Sequence, residues 1–208
     1  MKKHDEYLST SLWYRERITD PYQTIAEFFS FADVASQRKH IITMLKVACS
    51  GHSWRKTDPG DLLYHLKIIE SVINAAFLIN KEKKQSPLDI TQKDIFNPNL
   101  FCGRHAHNGE WDYFPRVLSF KEFSNPYLAF THFFKYLALS EWKSQLQEIL
   151  QYALVEDSLF ASGTDMDILS IYIYLIKLVE AAHLIDVREI NHIGGRIKNR
   201  ANAGLNWI

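Results

Sequence analysis

Cysteine is nearly absent from this 208-residue sequence, which holds only Cys49 and Cys102. Two thiols outside any C-x-x-C pair exclude a disulfide framework and a four-sulfur zinc site. Both are read as small buried hydrophobes. An excess of either charge is also missing. Lys plus Arg and Asp plus Glu each total 24, so the basic excess of a duplex-wrapping protein is lacking, although a local basic patch is not excluded. Long apolar runs are lacking as well. The most hydrophobic stretch is interrupted by Lys177 and Glu180, short of the ~18 uninterrupted apolar residues expected of a membrane span. The N-terminal MKKHDEYLSTSLWYRER has basic residues with no apolar segment after them, unlike a secretory signal. A cytoplasmic location with no membrane partner is the resulting expectation. H-E-x-x-H, G-x-S-x-G, the P-loop and G-x-G-x-x-G do not occur, which removes the commonest hydrolase and nucleotide-binding signatures. No cofactor is expected.

What the chain does have is apolar content of 47% against 23% charged, ordinary values for a globular protein. A chain of this length buries roughly 70% of its unfolded surface without staples. One stretch organises the rest: Asp165 to Asp186, DMDILSIYIYLIKLVEAAHLID, is apolar on most faces of a helix. Such a helix is enclosed by others rather than laid on a surface. Thr164 is placed as its N-cap, with Asp167 three residues on.

Helical spacing marks the neighbours of this central helix. Asp20-Pro21 reads as a cap followed by proline at the first helical position, with Ile25, Ala26, Phe28 and Phe29 on the buried face. Asp33 caps a second helix that Gly51 terminates. A third runs from about Asp61 to Asn80, with Leu62, Leu66, Ile69, Ile73 and Ala76 on one side. Asn125-Pro126 opens an aromatic helix (Phe130, Phe133, Phe134, Tyr136), and Ser140 opens the next, carrying Trp142, Leu146, Ile149 and Leu150. Beyond residue 186 the sequence predicts a short helix, the breaker Gly194-Gly195 and a basic tail. The expected fold is one all-α domain over 1–208, six or seven helices around the buried helix 165–185. Residues 1–19 are a loosely ordered arm, 81–124 an irregular connection and 194–208 the tail. A structureless stretch as long as Ser86 to Asn125 is improbable in a compact domain, so it is expected to hide short helices or a hairpin, the latter at Asn108-Gly109.

Three sets of residues suggest function. Cys102, His105, His107, Glu110 and Asp112 crowd one glycine-bearing loop. Zinc favours such ligands, and a hydrolytic site needs two or three of them with an open position for water. His105, His107 and Asp112 are the candidate metal ligands, with His132 or His183 available to complete the set. Arg196, Lys198 and Arg200 in the tail are candidate phosphate contacts for nucleic acid, a surface to which Arg38-Lys39-His40 and Arg55-Lys56 would add. Trp111, Trp142 and Trp207 suit a partner interface. Phe130, Phe133, Phe134 and Tyr136 suit either a ligand pocket or, by ordinary helix logic, the core.

Residues 164–190, TDMDILSIYIYLIKLVEAAHLIDVREI, resemble regulators of excision from bacterial conjugative transposons over about 25 residues of mostly generic helix pattern. No functional residue is carried over from that resemblance. With each catalytic motif missing or incomplete, the leading expectation is a non-enzymatic protein-interaction or self-associating module. A metal-dependent hydrolase on the His105/His107/Asp112 loop comes second and a nucleic-acid-binding regulator third.

Overall fold

In the computed structural model, residues 8, 17–102, 110–161, 163–190, 192–193 and 196–197 are described. Among them are seven α-helices: α1 (Pro21–Phe31), α2 (Val34–Ser50), α3 (Pro59–Lys81), α4 (Phe120–Ser124), α5 (Tyr127–Tyr136), α6 (Leu139–Leu154) and α7 (Ile168–Glu189). The all-α architecture follows the hydrophobic periodicity, and α7 is the central element, packing against α1, α2, α3, α4 and α5. Ile171, Leu175, Ile176, Leu178, Val179, Ala181, Ala182, Leu184 and Ile185 are all buried along it, whereas Leu169 in its first turn is 68% exposed.

The helix ends obey capping chemistry, with some starts displaced from those expected. Asp20 caps α1 by accepting from the Tyr22 amide, and Asp33 caps α2 by accepting from Ser36. Gly51 ends α2 at φ 70°, a left-handed conformation that favours glycine. α3 begins at Pro59 rather than Asp61, because Asp58 accepts from the Gly60 amide at 2.6 Å. Asp167, not Thr164, caps α7 through the Ser170 amide at 3.0 Å. Asn125 does not cap α5, since its side-chain oxygen faces the Ser86 amide instead. α6 starts at Leu139 without a side-chain cap, and Glu141 reaches back to the Ala138 amide at 2.6 Å.

Past residue 186 the expected separate short helix does not form. α7 continues to Glu189, and a two-residue antiparallel ladder then pairs His192 with Ile197 and Ile193 with Arg196. Among its described residues, segment 81–124 carries three 3-10 turns (Asp94–Phe96, Pro98–Leu100, Glu110–Asp112) and the short α4. The Asn108-Gly109 hairpin expectation lies outside the described residues. Of the arm, Ile18 is buried and its amide donates to the Leu8 carbonyl at 3.0 Å.

The aromatic helix α5 belongs to the core. Phe130 and Phe133 are fully buried, so they do not line an open pocket. Trp142 is likewise enclosed: it stacks on Phe133 at 4.0 Å and donates its indole N–H to the Phe133 carbonyl at 3.1 Å. That corner joins α5 to α6 and takes Trp142 away from any partner interface. Cys49 and Cys102 are half-buried against the core, as small hydrophobes would be, and burial pushes the Cys49 thiol up.

α3 and α7 are each long and apolar enough, by length and composition alone, to cross a membrane. Of the qualifying windows, 67% in α3 and 61% in α7 is buried by the surrounding helices, which is how core helices pass the same test.

Candidate functional site

The polar residues that interrupt the apolar run of α7 share one side of it and hold the irregular segment in place. Lys177, Glu180, His183 and Arg188 recur at three- to five-residue spacing, close to the helical repeat. Glu180 is 1% exposed and pairs with Arg38 of α2 at 2.8 Å. Its carboxylate also accepts from the backbone amides of Arg116 at 2.8 Å and Val117 at 3.1 Å. Arg38 donates in turn to the carbonyls of Phe114, at 3.0 Å, and Asp112. The chain from 112 to 117 is thereby wrapped around a buried ion pair. A buried pair of this kind is tolerable only when further hydrogen bonds complete it, and here the loop backbone supplies them.

The other ties work similarly. Lys177 donates to Glu122 at 2.8 and 2.9 Å, and His132 Nδ1 lies 2.8 Å from the same carboxylate. Ser119 and Glu122 form a capping box at the start of α4. Burial opposes the charge on Glu122, but the bonds from Lys177, His132 and Ser119 outweigh it and bring its pKa down to about 2. The His183 Nε2–H donates to the Phe101 carbonyl at 2.8 Å, and burial lowers its pKa to about 4, leaving it neutral at pH 7. Arg188 donates to the carbonyls of Leu100 at 2.7 Å and Phe123 at 2.6 Å, with its guanidinium 4.5 Å from the Phe123 ring centre. Burial lowers its pKa to about 10, against the opposing influence of Glu189.

At the end of α7, Glu189 accepts from Tyr127 at 2.6 Å and pairs with Lys84. Burial first, then the bonds to Glu189 and Tyr22, push the Tyr127 phenol far up. A cavity of about 320 Å³ lies beside this group, lined by Asn80, Lys83, Lys84, Gln85, Tyr127, Leu128 and Thr131.

The segment held by these ties presents aromatics outward. Phe96 (56% exposed) and Trp111 (67% exposed) meet at 6.0 Å, and both contact Phe114 at 5.8 Å. Phe114 in turn packs edge-on to buried Phe101 at 5.1 Å. Arg116 and Asp112 are also exposed on this loop and pair at 3.6 Å.

The sequence candidates fare unevenly. His105 and His107 lie outside the described residues. Asp112 is described, and its side chain faces Arg116. His132 and His183, named to complete a metal set, are engaged by Glu122 and Phe101. No three metal-ligating side chains gather among the described residues. Arg196 stands in the ladder with Ile193, while Lys198, Arg200 and Trp207 lie outside the described residues. Arg38 is withdrawn from any nucleic-acid surface by its burial with Glu180, and exposed Arg55 pairs with Glu156. The tying role of Lys177 and Glu180 was hidden because the sequence marks them only as breaks in an apolar run. For the α4 start a signal existed: Ser119-x-x-Glu122 is a capping-box pattern. Compared with protein-family models, curated proteins and solved structures, the chain matches none.

Proposed function

We propose that this chain is a non-enzymatic, cytoplasmic interaction module that associates through the Phe96/Trp111/Phe114 face, with a second copy of itself as the first partner to test. The observation carrying this reading is the placement of two exposed aromatic rings on a segment fixed from beneath by buried ion pairs. Large aromatics at the centre of a patch are the residues that dominate association energies, and they act best when pre-organised. The patch is bordered by one charge of each sign, Arg116 and Asp112. A twofold contact sets a surface against itself, so Arg116 of one copy can meet Asp112 of the other. Zero net charge leaves no long-range repulsion to oppose the approach.

Sedimentation velocity across a dilution series tests the proposal. The wild-type chain is expected to show a concentration-dependent dimer, and Phe96→Ser/Trp111→Ser is expected to sediment as a monomer with unchanged helicity. A wild-type monomer at every concentration counts against self-association. A dimer that survives the double substitution counts against this face.

A further inference from the structure

α2 and α3 are held together largely through α6, but a ring contact also spans them directly. His40 of α2 and His65 of α3 lie ring against ring, with ring centres 3.8 Å apart and planes tilted by 36°. Both rings are half-buried, and the Nδ1 atom of each is shielded from solvent without a hydrogen-bond partner among the described residues. Two sequestered, unsatisfied nitrogens of the same kind on neighbouring rings are unusual, since buried polar atoms ordinarily have partners. A single ligand that takes both lone pairs would satisfy them together.

We propose that His40 and His65 form a two-imidazole site for a borderline divalent transition ion of the zinc or copper class. Imidazole nitrogen suits these ions, with copper bound more tightly than zinc at a given site. Metal binding needs neutral rings, and burial holds both histidines below their ordinary pKa. Two charged groups act on the pair: Lys39 disfavours a cation beside His40, and Asp61, one turn before His65, favours it. No third ligand joins them among the described residues, so water fills the remaining positions. Rings in face contact leave no room for an ion between them. Binding therefore turns them about their Cβ–Cγ bonds and exchanges that contact for two metal–nitrogen bonds. The proposed ligands are residues other than His105, His107 and Asp112, and the site does not depend on the aromatic face.

Titration calorimetry with Zn²⁺ and with Cu²⁺, on protein carrying no affinity tag, tests this. The expected result is one ion per chain, with a raised Tm and affinity that falls as pH drops below 6.5. His40→Phe and His65→Phe retain a ring at the contact and are expected to weaken binding by more than roughly tenfold, since even an outer-shell partner of a metal ligand is worth about that much. His65→Gln, polar and smaller, is the second variant should a phenylalanine disturb the fold. His105→Ala/His107→Ala is expected to leave this binding unchanged. The proposal is overturned if the wild-type chain takes up no ion, or if the His40 and His65 variants bind as it does.

Discussion

Glu180 is the clearest case of one residue deciding local structure. Its charge sits at the centre of the molecule, where an unpaired carboxylate costs several kcal/mol. Arg38 and two loop amides make the position acceptable, and the loop acquires its course from them. Glu180→Gln leaves Arg38 buried without its counter-charge, and an expected loss of about 3–5 kcal/mol follows from breaking one side of such a pair. Urea unfolding measures it. Arg38→Met/Glu180→Leu should recover part of that loss, because no charge is left buried, although the Arg116 and Val117 amides and the Phe114 and Asp112 carbonyls lose these partners; equal destabilisation in the single and double variants would disprove the coupling. Acid acts on the same segment. His183 is held neutral, its pKa near 4 rather than 6.5, so its contribution is complete above pH 6.5 and is lost as pH falls towards 4. Glu122, with a pKa lowered to about 2 from 4.5, contributes fully above pH 4.5 and loses that contribution as pH falls towards 2. The second loss is on the order of 3 kcal/mol. Urea midpoints taken from pH 7 to pH 2 should therefore decline throughout, and Glu122→Gln should be weaker at pH 7 yet flatter below pH 4.5. A midpoint that rises on acidification from pH 6 to pH 4 would contradict this account.

At the scale of elements, the helices were legible because their apolar spacing and capping residues act locally. Asp20-Pro21, Asp33 and Gly51 fulfil the roles that their chemistry indicates. Misplaced starts have local causes as well. Asp58-Pro59 repeats the Asp20-Pro21 signal, yet lies inside a turn-rich stretch and is masked there by Gly60. Its cap makes Asp58→Ala a direct test: a loss of about 1 kcal/mol is expected, the usual value of an N-cap side chain, and an unchanged thermal midpoint would remove Asp58 from that role. Segment 81–124 was legible only as irregular. Its course depends on Glu180, His183 and Arg188, residues 60 or more positions away from the carbonyls and amides that they bind. No local pattern records such a pairing. Of the candidate sites, Trp111 could be named from its residue type, whereas its exposure beside Phe96 is a product of tertiary structure.

For the molecule as a whole, the pressing question is what two helices with the composition of membrane spans do inside one bundle. α3 and α7 are, among the described residues, the helices apolar enough to qualify as spans, and both also carry buried charge. Glu70 of α3 is 5% exposed and bonds to Lys67 and Gln147, while Glu180 of α7 is paired with Arg38. A carboxylate at the centre of a lipid-exposed helix costs about 2.5–3.5 kcal/mol on insertion scales. Withdrawing either helix from the bundle would also strip these groups of their partners. Much of the apolar surface of both helices is covered by neighbours, α3 by α1, α5 and α6 and α7 by α1, α2 and α5, so lipid offers little there that the protein interior does not. We therefore expect the purified chain to remain in the aqueous phase on detergent phase separation, and not to float with neutral phosphatidylcholine vesicles. Recovery in the detergent phase would mean that the bundle opens, exchanging the Glu70 and Glu180 pairings for lipid contact. Glu180→Leu should then partition more strongly still, because one of the charges that oppose insertion of α7 is gone. If the wild-type chain stays aqueous and Glu180→Leu does too, packing alone suffices to keep α7 inside the bundle, and the buried pair serves to place the 112–117 loop rather than to guard the helix against lipid.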